Sequence, residues 1–239
     1  MYRSLVNTDI FPIRLCEVCG SKNLAYFPIL WKKLIQDWEL SPHEIKYINY
    51  QQGLYCNDCK VNLRTMALAK AMMRTHNYHG YFASFVTTRK IRKSRILEIN
   101  SCGNLTPFLN KIGGHQLSTY PETDLMNMRY SDNTYDFVIH SDTLEHILDP
   151  IKALSECYRI LKPDGFCVFT VPIIVDRLTR TRHNLSDSYH GDELHQTSDL
   201  LVYSEYGADV WKQVIMAGFT ECRIYSLVYP YAQALIGVK

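Results

Sequence analysis

No apolar run in the 239-residue sequence approaches the roughly 20 residues a bilayer-crossing helix needs. Its opening, Met1 to Asp9, lacks the apolar core of a signal peptide. A cytoplasmic protein without a membrane partner is expected. Glycine (11) and proline (9) are too sparse for a collagenous or low-complexity chain. Neither sign of charge dominates, with 26 Lys and Arg against 24 Asp and Glu, and no dense basic stripe is interleaved with aromatics. Charge therefore gives no argument for a nucleic-acid partner. There is no internal repeat. What is present, 46% hydrophobic and 21% charged residues, suffices for an ordinary packed core.

Cysteine usage is uneven. Four of the eight form two C-x2-C pairs, Cys16/Cys19 and Cys56/Cys59, while Cys102, Cys157, Cys167 and Cys222 stand singly. Paired knuckles of this kind place four thiolates at the corners of a tetrahedron and predict one zinc ion, with buried unligated thiols as the alternative. Four protein ligands leave no open coordination position, so the metal is expected to be structural. The 36 residues between the pairs exceed the ribbon spacing of about 15–20, which predicts inserted helices. Ser41-Pro42-His43-Glu44 has capping-box order with proline at the first helical position, opening a helix that runs to Gly53. Trp31 and Trp38 lie in the same insertion. Residues 1–62 thus read as a zinc-binding module, and 63–94 as a helical linker with a helix at 63–74 and a basic end, Arg89 to Arg95.

From Ile96 the texture changes to short apolar strands alternating with helical segments. Strands are expected at 95–99, 115–120, 135–140 and 166–171, and helices at 107–112 and 150–161. Asp149-Pro150 caps the second helix and Lys162-Pro163-Asp164-Gly165 stops it. A polar segment at 172–200 interrupts the rhythm before a helix at 204–217 and a strand region at 219–229. Strands separated by helices imply a parallel α/β sheet.

The ordered set Ile96-Leu97-Glu98-Ile99, Gly103, Asp132 to Ile139, Thr143-Leu144-Glu145-His146 and Arg159 to Gly165 resembles class I S-adenosylmethionine-dependent methyltransferases of the Leu-Glu-His, methyltransferase-11-like type. The resemblance covers about 95–229 and implies a Rossmann-like domain, 95–239, with helices on both faces of its sheet. The N-terminal four-cysteine module is zinc-ribbon-like. By this resemblance the cofactor, S-adenosylmethionine, lies beyond the carboxyl ends of the strands. Glu98, Asn100, Ser101, Gly103, Glu122, Asp124, Leu125 and Ser141 are its candidate binding residues. The glycine-rich run of the family falls here on Asn100, Cys102 and Asn104, leaving Gly103. Glu122 and Asp124 are candidates for the ribose and adenine positions, with a solvated turn as the alternative for either. Glu98 is alternatively a brace for the backbone.

The resemblance places candidate catalytic groups at the end of the strand 135–140: His140, Glu145 and His146, with Asp142 beside them. By the resemblance His146 reads as a base or, with the adjacent acid Glu145, as a ligand to a divalent metal; the alternative is a residue that caps or packs the short helix. The insertion 172–200 stands where related enzymes build a substrate lid. It carries Arg177, Arg180, Arg182, His183, Tyr189, His190 and His195. Its arginines suit a phosphate or carboxylate clamp, with a solvated face as the usual alternative, and Tyr189-His190-Gly191 is expected to face substrate, with His190 as a second base. The implied function is methyl transfer to a small molecule, such as a sugar or other biosynthetic intermediate. The alternatives are an RNA or protein methyltransferase docked by the zinc module, and a non-catalytic binding protein that keeps the fold.

Overall fold

The computed structural model of the chain describes residues 13–190 and 197–239. At its N-terminal end the two C-x2-C turns flank a two-stranded antiparallel pair, β1 (Leu24–Tyr26) and β2 (Leu54–Cys56). Between these strands lies a helical hairpin, α1 (Lys32–Asp37) and α2 (Pro42–Gly53). The expected capping box is present: Glu44 N–H donates to Ser41 Oγ at 3.3 Å, and Ser41 N–H to Glu44 Oε2 at 2.7 Å.

Helix α3 (Leu63–Arg74) starts four residues after Cys59, with Asn62 Oδ1 accepting from Thr65 N–H at 2.9 Å. Its Leu, Ala and Met residues are strong helix formers and all are buried. A short α4 (Phe82–Phe85) follows. The main sheet comprises β3 (Arg95–Ile99), β4 (Gly114–Ser118), β5 (Tyr135–Ser141), β6 (Leu161–Thr170), β10 (Glu221–Leu227) and β11 (Ala232–Val238). Their spatial order is β4-β3-β5-β6-β11-β10. The first three pairings are parallel, and β11 and β10 close one side antiparallel.

Strand alternation decides what covers each face. Ile96, Phe137, Ile139, Val168 and Ile236 pack with α3, α4 and the short α5 (Thr106–Leu109). Leu97, Ile99, Val138, Phe169 and Leu235 pack with α6 (Pro150–Ile160) and α7 (Trp211–Met216). This is an α/β fold with helices on both faces of a central sheet, as expected. The core that holds Cys16, Val18, Leu54 and Cys56 continues without a break into Met66, Phe137 and Val168. No helix of the described residues is long and apolar enough to cross a membrane.

Three elements differ from expectation. The segment 204–217 is not one helix: Ser204–Gly207 is a strand, β9, that joins β7 (Ile173–Ile174) and β8 (Arg180–Thr181) in a small sheet of its own. Gly207 lies so close to the backbone of residues 177–178 that a Cβ would sit 2.2 Å from Arg177 O. The helix expected at 107–112 shortens to α5, preceded by a 3-10 turn, Gly103–Leu105. The strand expected at 166–171 begins at Leu161, directly after α6, and Lys162 to Gly165 bulge within it, where pairing jumps from Tyr135/Leu161 to Phe137/Phe166.

Candidate functional site

Each C-x2-C turn closes the same way. Gly20 N–H donates to Cys16 O and Lys60 N–H to Cys56 O, both at 2.8 Å, and Gly20 and Lys60 both have positive φ. The two turns face each other with Cys16 Sγ 3.5 Å from Cys59 Sγ and Cys19 Sγ 3.6 Å from Cys56 Sγ. All four sulfurs lie within 4.8 Å of one another, and none is in a disulfide. Tetrahedral zinc with bonds of about 2.3 Å requires sulfur–sulfur edges of about 3.8 Å, so the arrangement fits that ion. Backbone N–H groups of Val18 and Cys19 point at Cys16, and those of Asp58 and Cys59 at Cys56.

The second turn also reaches the sheet. Asn104 Nδ2 donates to Lys60 O at 3.0 Å, tying the loop after β3 to the cysteine cluster. Within that loop Asn100 takes φ +51° and Gly103 φ +62°, and space is open where a Cβ of Gly103 would stand. Asn tolerates the left-handed region better than most residues, so the turn survives with one glycine. Asn100 Oδ1 accepts from Tyr120 N–H at 3.1 Å, and Ser101 Oγ accepts from Gly103 N–H at 3.1 Å.

Glu98 does not face this crevice. Fully buried, it accepts from Cys102 N–H at 2.7 Å and Thr106 Oγ1 at 2.5 Å on one oxygen, and meets His115 Nε2 at 2.7 Å on the other. It braces the loop from beneath. At the end of β4, Glu122 and Asp124 line one concavity with Ser118, Thr123 and Arg129. Leu125 turns inward and packs in the core against α6. Ser141, at the end of β5, is buried and bonded to Thr170 Oγ1 at 2.8 Å.

Among the catalytic candidates the structure brings three together and leaves one out. His140 points beneath α6, stacked on Phe169 at 4.8 Å between ring centroids, with Cys167 Sγ 4.0 Å away. Burial pushes its imidazole down to about 4, so it is a neutral core residue and not a base at the crevice. Glu145 and His146 lie in a 3-10 turn, Leu144–His146, after β5, and His190 reaches them from the expected lid. Glu145 Oε1 is 3.9 Å from both His146 Nε2 and His190 Nδ1. His146 Nδ1 lies 2.9 Å from Leu201 O, and the His190 ring packs against Trp38 at 4.7 Å between centroids, tilted by 34°. Gly191 and His195 lie outside the described residues, and His183 takes no part in this cluster.

The arginines of 172–200 form no open clamp. Arg177 bonds both oxygens of Glu44 at 2.6 and 2.8 Å and the carbonyls of Trp38 and Glu39. Arg180 and Arg182 both pair with Glu205. Their charge is spent in fastening this segment to the helical hairpin and to β9.

Beside His190 is a cavity of about 370 Å³. The hairpin supplies its apolar wall, with Trp31, Leu34, Trp38, Leu40 and Ile48, and Ile174 faces them. Its polar floor is Gln52, Arg64, Asp142 and His190. Asp142, at φ +45°, pairs with Arg64 and accepts from Gln52 Nε2 at 3.1 Å; among the described residues its Oδ1 and Arg64 Nε have no hydrogen-bond partner. Burial pushes the Arg64 guanidinium down to about 10. Arg64 and Gln52 escape sequence reasoning; the available signal was a lone arginine on the otherwise apolar face of α3.

Residues 80–169 match the family model of a methyltransferase domain. A stretch of 52 residues is 36% identical to phosphoethanolamine N-methyltransferase 2 of Caenorhabditis elegans, covering 22% of this chain and 12% of that protein. Another, of 60 residues, is 38% identical to cycloartenol-C-24-methyltransferase 1 of Oryza sativa subsp. japonica, covering 25% of this chain and 17% of that protein. The matched stretches thus span under a fifth of these relatives. Among solved structures, a SAM-dependent methyltransferase of Thermotoga maritima aligns over 73% of this chain and 89% of its own at 16% identity and a TM-score of 0.41.

Proposed function

We propose that the chain is a cytoplasmic S-adenosylmethionine-dependent methyltransferase acting on a small-molecule acceptor. One observation carries the reading: the stretch that matches a methyltransferase domain, 80–169, includes the strands whose carboxyl ends border both the loop at 100–104 and the cavity floored by Asp142. The first opening takes the cofactor and the second the acceptor.

Asn100, Ser101 and Gly103 would hold the cofactor from the loop after β3, and Glu122 and Asp124 from the end of β4. Bound there, S-adenosylmethionine supplies an activated methyl group. The chain itself supplies position and water exclusion, which is most of what a methyl transfer needs. Glu98 and Leu125 support that crevice without lining it, and Ser141 fixes the β5 turn through Thr170. The acceptor lies with an apolar body between Trp31, Trp38 and Ile174 and a polar end toward Asp142 and His190.

In this reading residues 1–62 are a zinc-binding module, 63–94 a helical linker, and 95–239 the methyltransferase domain with its lid at 172–200. Zinc held by Cys16, Cys19, Cys56 and Cys59 is structural and steadies the cofactor loop through Lys60 and Asn104. The walling of the acceptor cavity by the module's own hairpin favours a small molecule over the docking of RNA or protein.

Calorimetric titration with S-adenosylhomocysteine tests the reading. Binding near micromolar, about 8 kcal/mol, is expected, weakened about tenfold by Asp124→Ala. A folded, zinc-loaded protein that binds neither this nor S-adenosylmethionine would be a non-catalytic binding protein.

A further inference from the structure

Asp142 follows β5 directly and sits in the left-handed region, at φ +45°, its N–H donating to Thr170 O at 3.0 Å. A non-glycine residue keeps that conformation only where its surroundings hold it. Two groups from outside the stretch 80–169 do so. Arg64, in the first turn of α3, pairs with the Asp142 carboxylate, and Gln52, near the end of α2, donates to its Oδ2 at 3.1 Å. The Gln52 amide is itself oriented, because its Oε1 accepts at 3.3 Å from Nδ2 of Asn62, the residue that caps α3. The Cys56/Cys59 turn thus stands in the chain between two residues that grip one carboxylate.

The ion pair at the cavity floor is incompletely used. Asp142 Oδ1 and Arg64 Nε have no hydrogen-bond partner among the described residues, so adjoining side chains offer one free acceptor and one free donor. Their charges cancel. Glu145, the next charged group, does not line the cavity and is faced by His146 and His190. A carboxylate or phosphate takes Arg64 only by drawing it from Asp142, and an ammonium takes Asp142 only by drawing it from Arg64. Either exchange leaves a buried charge without its partner, the costly half of a broken ion pair. An uncharged group that both donates and accepts completes the pair without parting it.

From this geometry we infer that Arg64 and Gln52 are specificity-determining residues, and that the acceptor is an uncharged, mainly apolar molecule whose hydroxyl or carboxamide end lies between Arg64 and Asp142. That the ligand is a methyl acceptor rests on the methyltransferase reading; that it is uncharged rests on the cavity. At about 370 Å³ the cavity falls within the range of about 300–1,000 Å³ that encloses drug-sized ligands, and Trp31, Trp38 and Ile174 cover the apolar body. Discrimination works from two sides. A molecule without a donor leaves Asp142 Oδ1 unpaired, and a charged one parts the pair.

The test titrates three probes of one skeleton, 2-naphthylmethanol, 2-naphthoate and 2-naphthylmethylammonium, into zinc-loaded full-length protein, with affinities read from ligand-observed NMR. The native chain should bind the alcohol about tenfold more tightly than either ion. Asp142→Asn leaves Arg64 unpaired and should move the preference about tenfold toward naphthoate, and Arg64→Gln should move it as far toward the ammonium. Gln52→Leu changes no charge and should weaken the alcohol while keeping the order of the three. Thermal melting identifies the folded variants, and Asp142→Asn keeps the test decisive where Arg64→Gln does not fold. A native chain that binds an ion as tightly as the alcohol, or binds none of the three, overturns the inference, as does a folded Asp142→Asn chain with unchanged preference. S-Adenosylhomocysteine titration separates the two readings: cofactor binding without the charge preference removes only the role of the pair, and the charge preference without cofactor binding removes only the methyltransferase.

Discussion

Glu98, at the end of β3, and Glu145, in the turn after β5, are both shut away from water, yet the first is met by three donors and the second, among the described residues, by none within hydrogen-bond distance. Both occupy the rim where parallel strands end, and both follow a leucine in the sequence. Their difference separates architecture from chemistry. A carboxylate whose oxygens are consumed by a backbone N–H, a hydroxyl and an imidazole holds a loop in shape and has nothing left to offer a ligand. One that is buried without donors is expensive as it stands and holds no neighbouring backbone in shape.

The largest test of this contrast is Glu98→Ala, which leaves Cys102 N–H, Thr106 and His115 without their acceptor. Urea denaturation should show a loss of about 3–5 kcal/mol; a loss under about 1 kcal/mol would place Glu98 with Glu145 instead. A third buried group, His140, sharpens the comparison by pH. Its folded pKa, down at about 4, lies below the unfolded value of 6.5, so the unfolded chain takes up the proton first as pH falls. Stability from this residue is full above pH 6.5 and drains away toward pH 4, by about 3 kcal/mol. His140→Leu should flatten denaturation midpoints across that window; an unchanged slope would count against a neutral buried imidazole.

Arg177 and Glu44 provide an intermediate case, a carboxylate satisfied from a distant segment. Arg177→Leu should cost about 1–2 kcal/mol, and a double-mutant cycle with Glu44→Gln should recover most of it as coupling; additive losses would show that the clasp between lid and hairpin contributes little. Glu145→Gln should have the smallest effect on folding, within about 1 kcal/mol of the native chain, while abolishing acceptor turnover in a methyl-transfer assay. A large destabilisation would mean that Glu145 is a brace like Glu98.

Much of the scaffold was legible because local signals agreed with the tertiary outcome. The Ser41/Glu44 capping box, the apolar run of α3 and the Ile96-Leu97 alternation each left one workable element, and both C-x2-C pairs left one workable cluster. Residues 204–217 misled because the apolar spacing around Tyr206 and Val210 suits a helix, and only the close approach at Gly207 reveals a strand. Strand β11 lay beyond the last segment assigned. At the site, Glu145, His146 and His190 were named from sequence, but no spacing along the chain could reveal that the lid turns His190 inward. His140 was misplaced because strand direction was read without strand face. For Arg177, Arg180 and Arg182 neither a substrate clamp nor a solvated face describes the outcome, because their partners Glu44 and Glu205 are remote in sequence or lie on an element that reads as helix.

The helical hairpin has both ends pinned at one point, where β1 pairs with β2 and the four cysteines converge. Lengthening a segment so anchored costs little, about 0.6 kcal/mol for each doubling of a flexible loop. Its tip can therefore change in size and sequence while Glu98, Asn104 and the strand ends keep their positions. The hairpin behaves as an exchangeable cassette: one lineage could trade it to acquire a new acceptor, and a protein engineer could graft another between Cys19 and Cys56 without redrawing the opposite crevice.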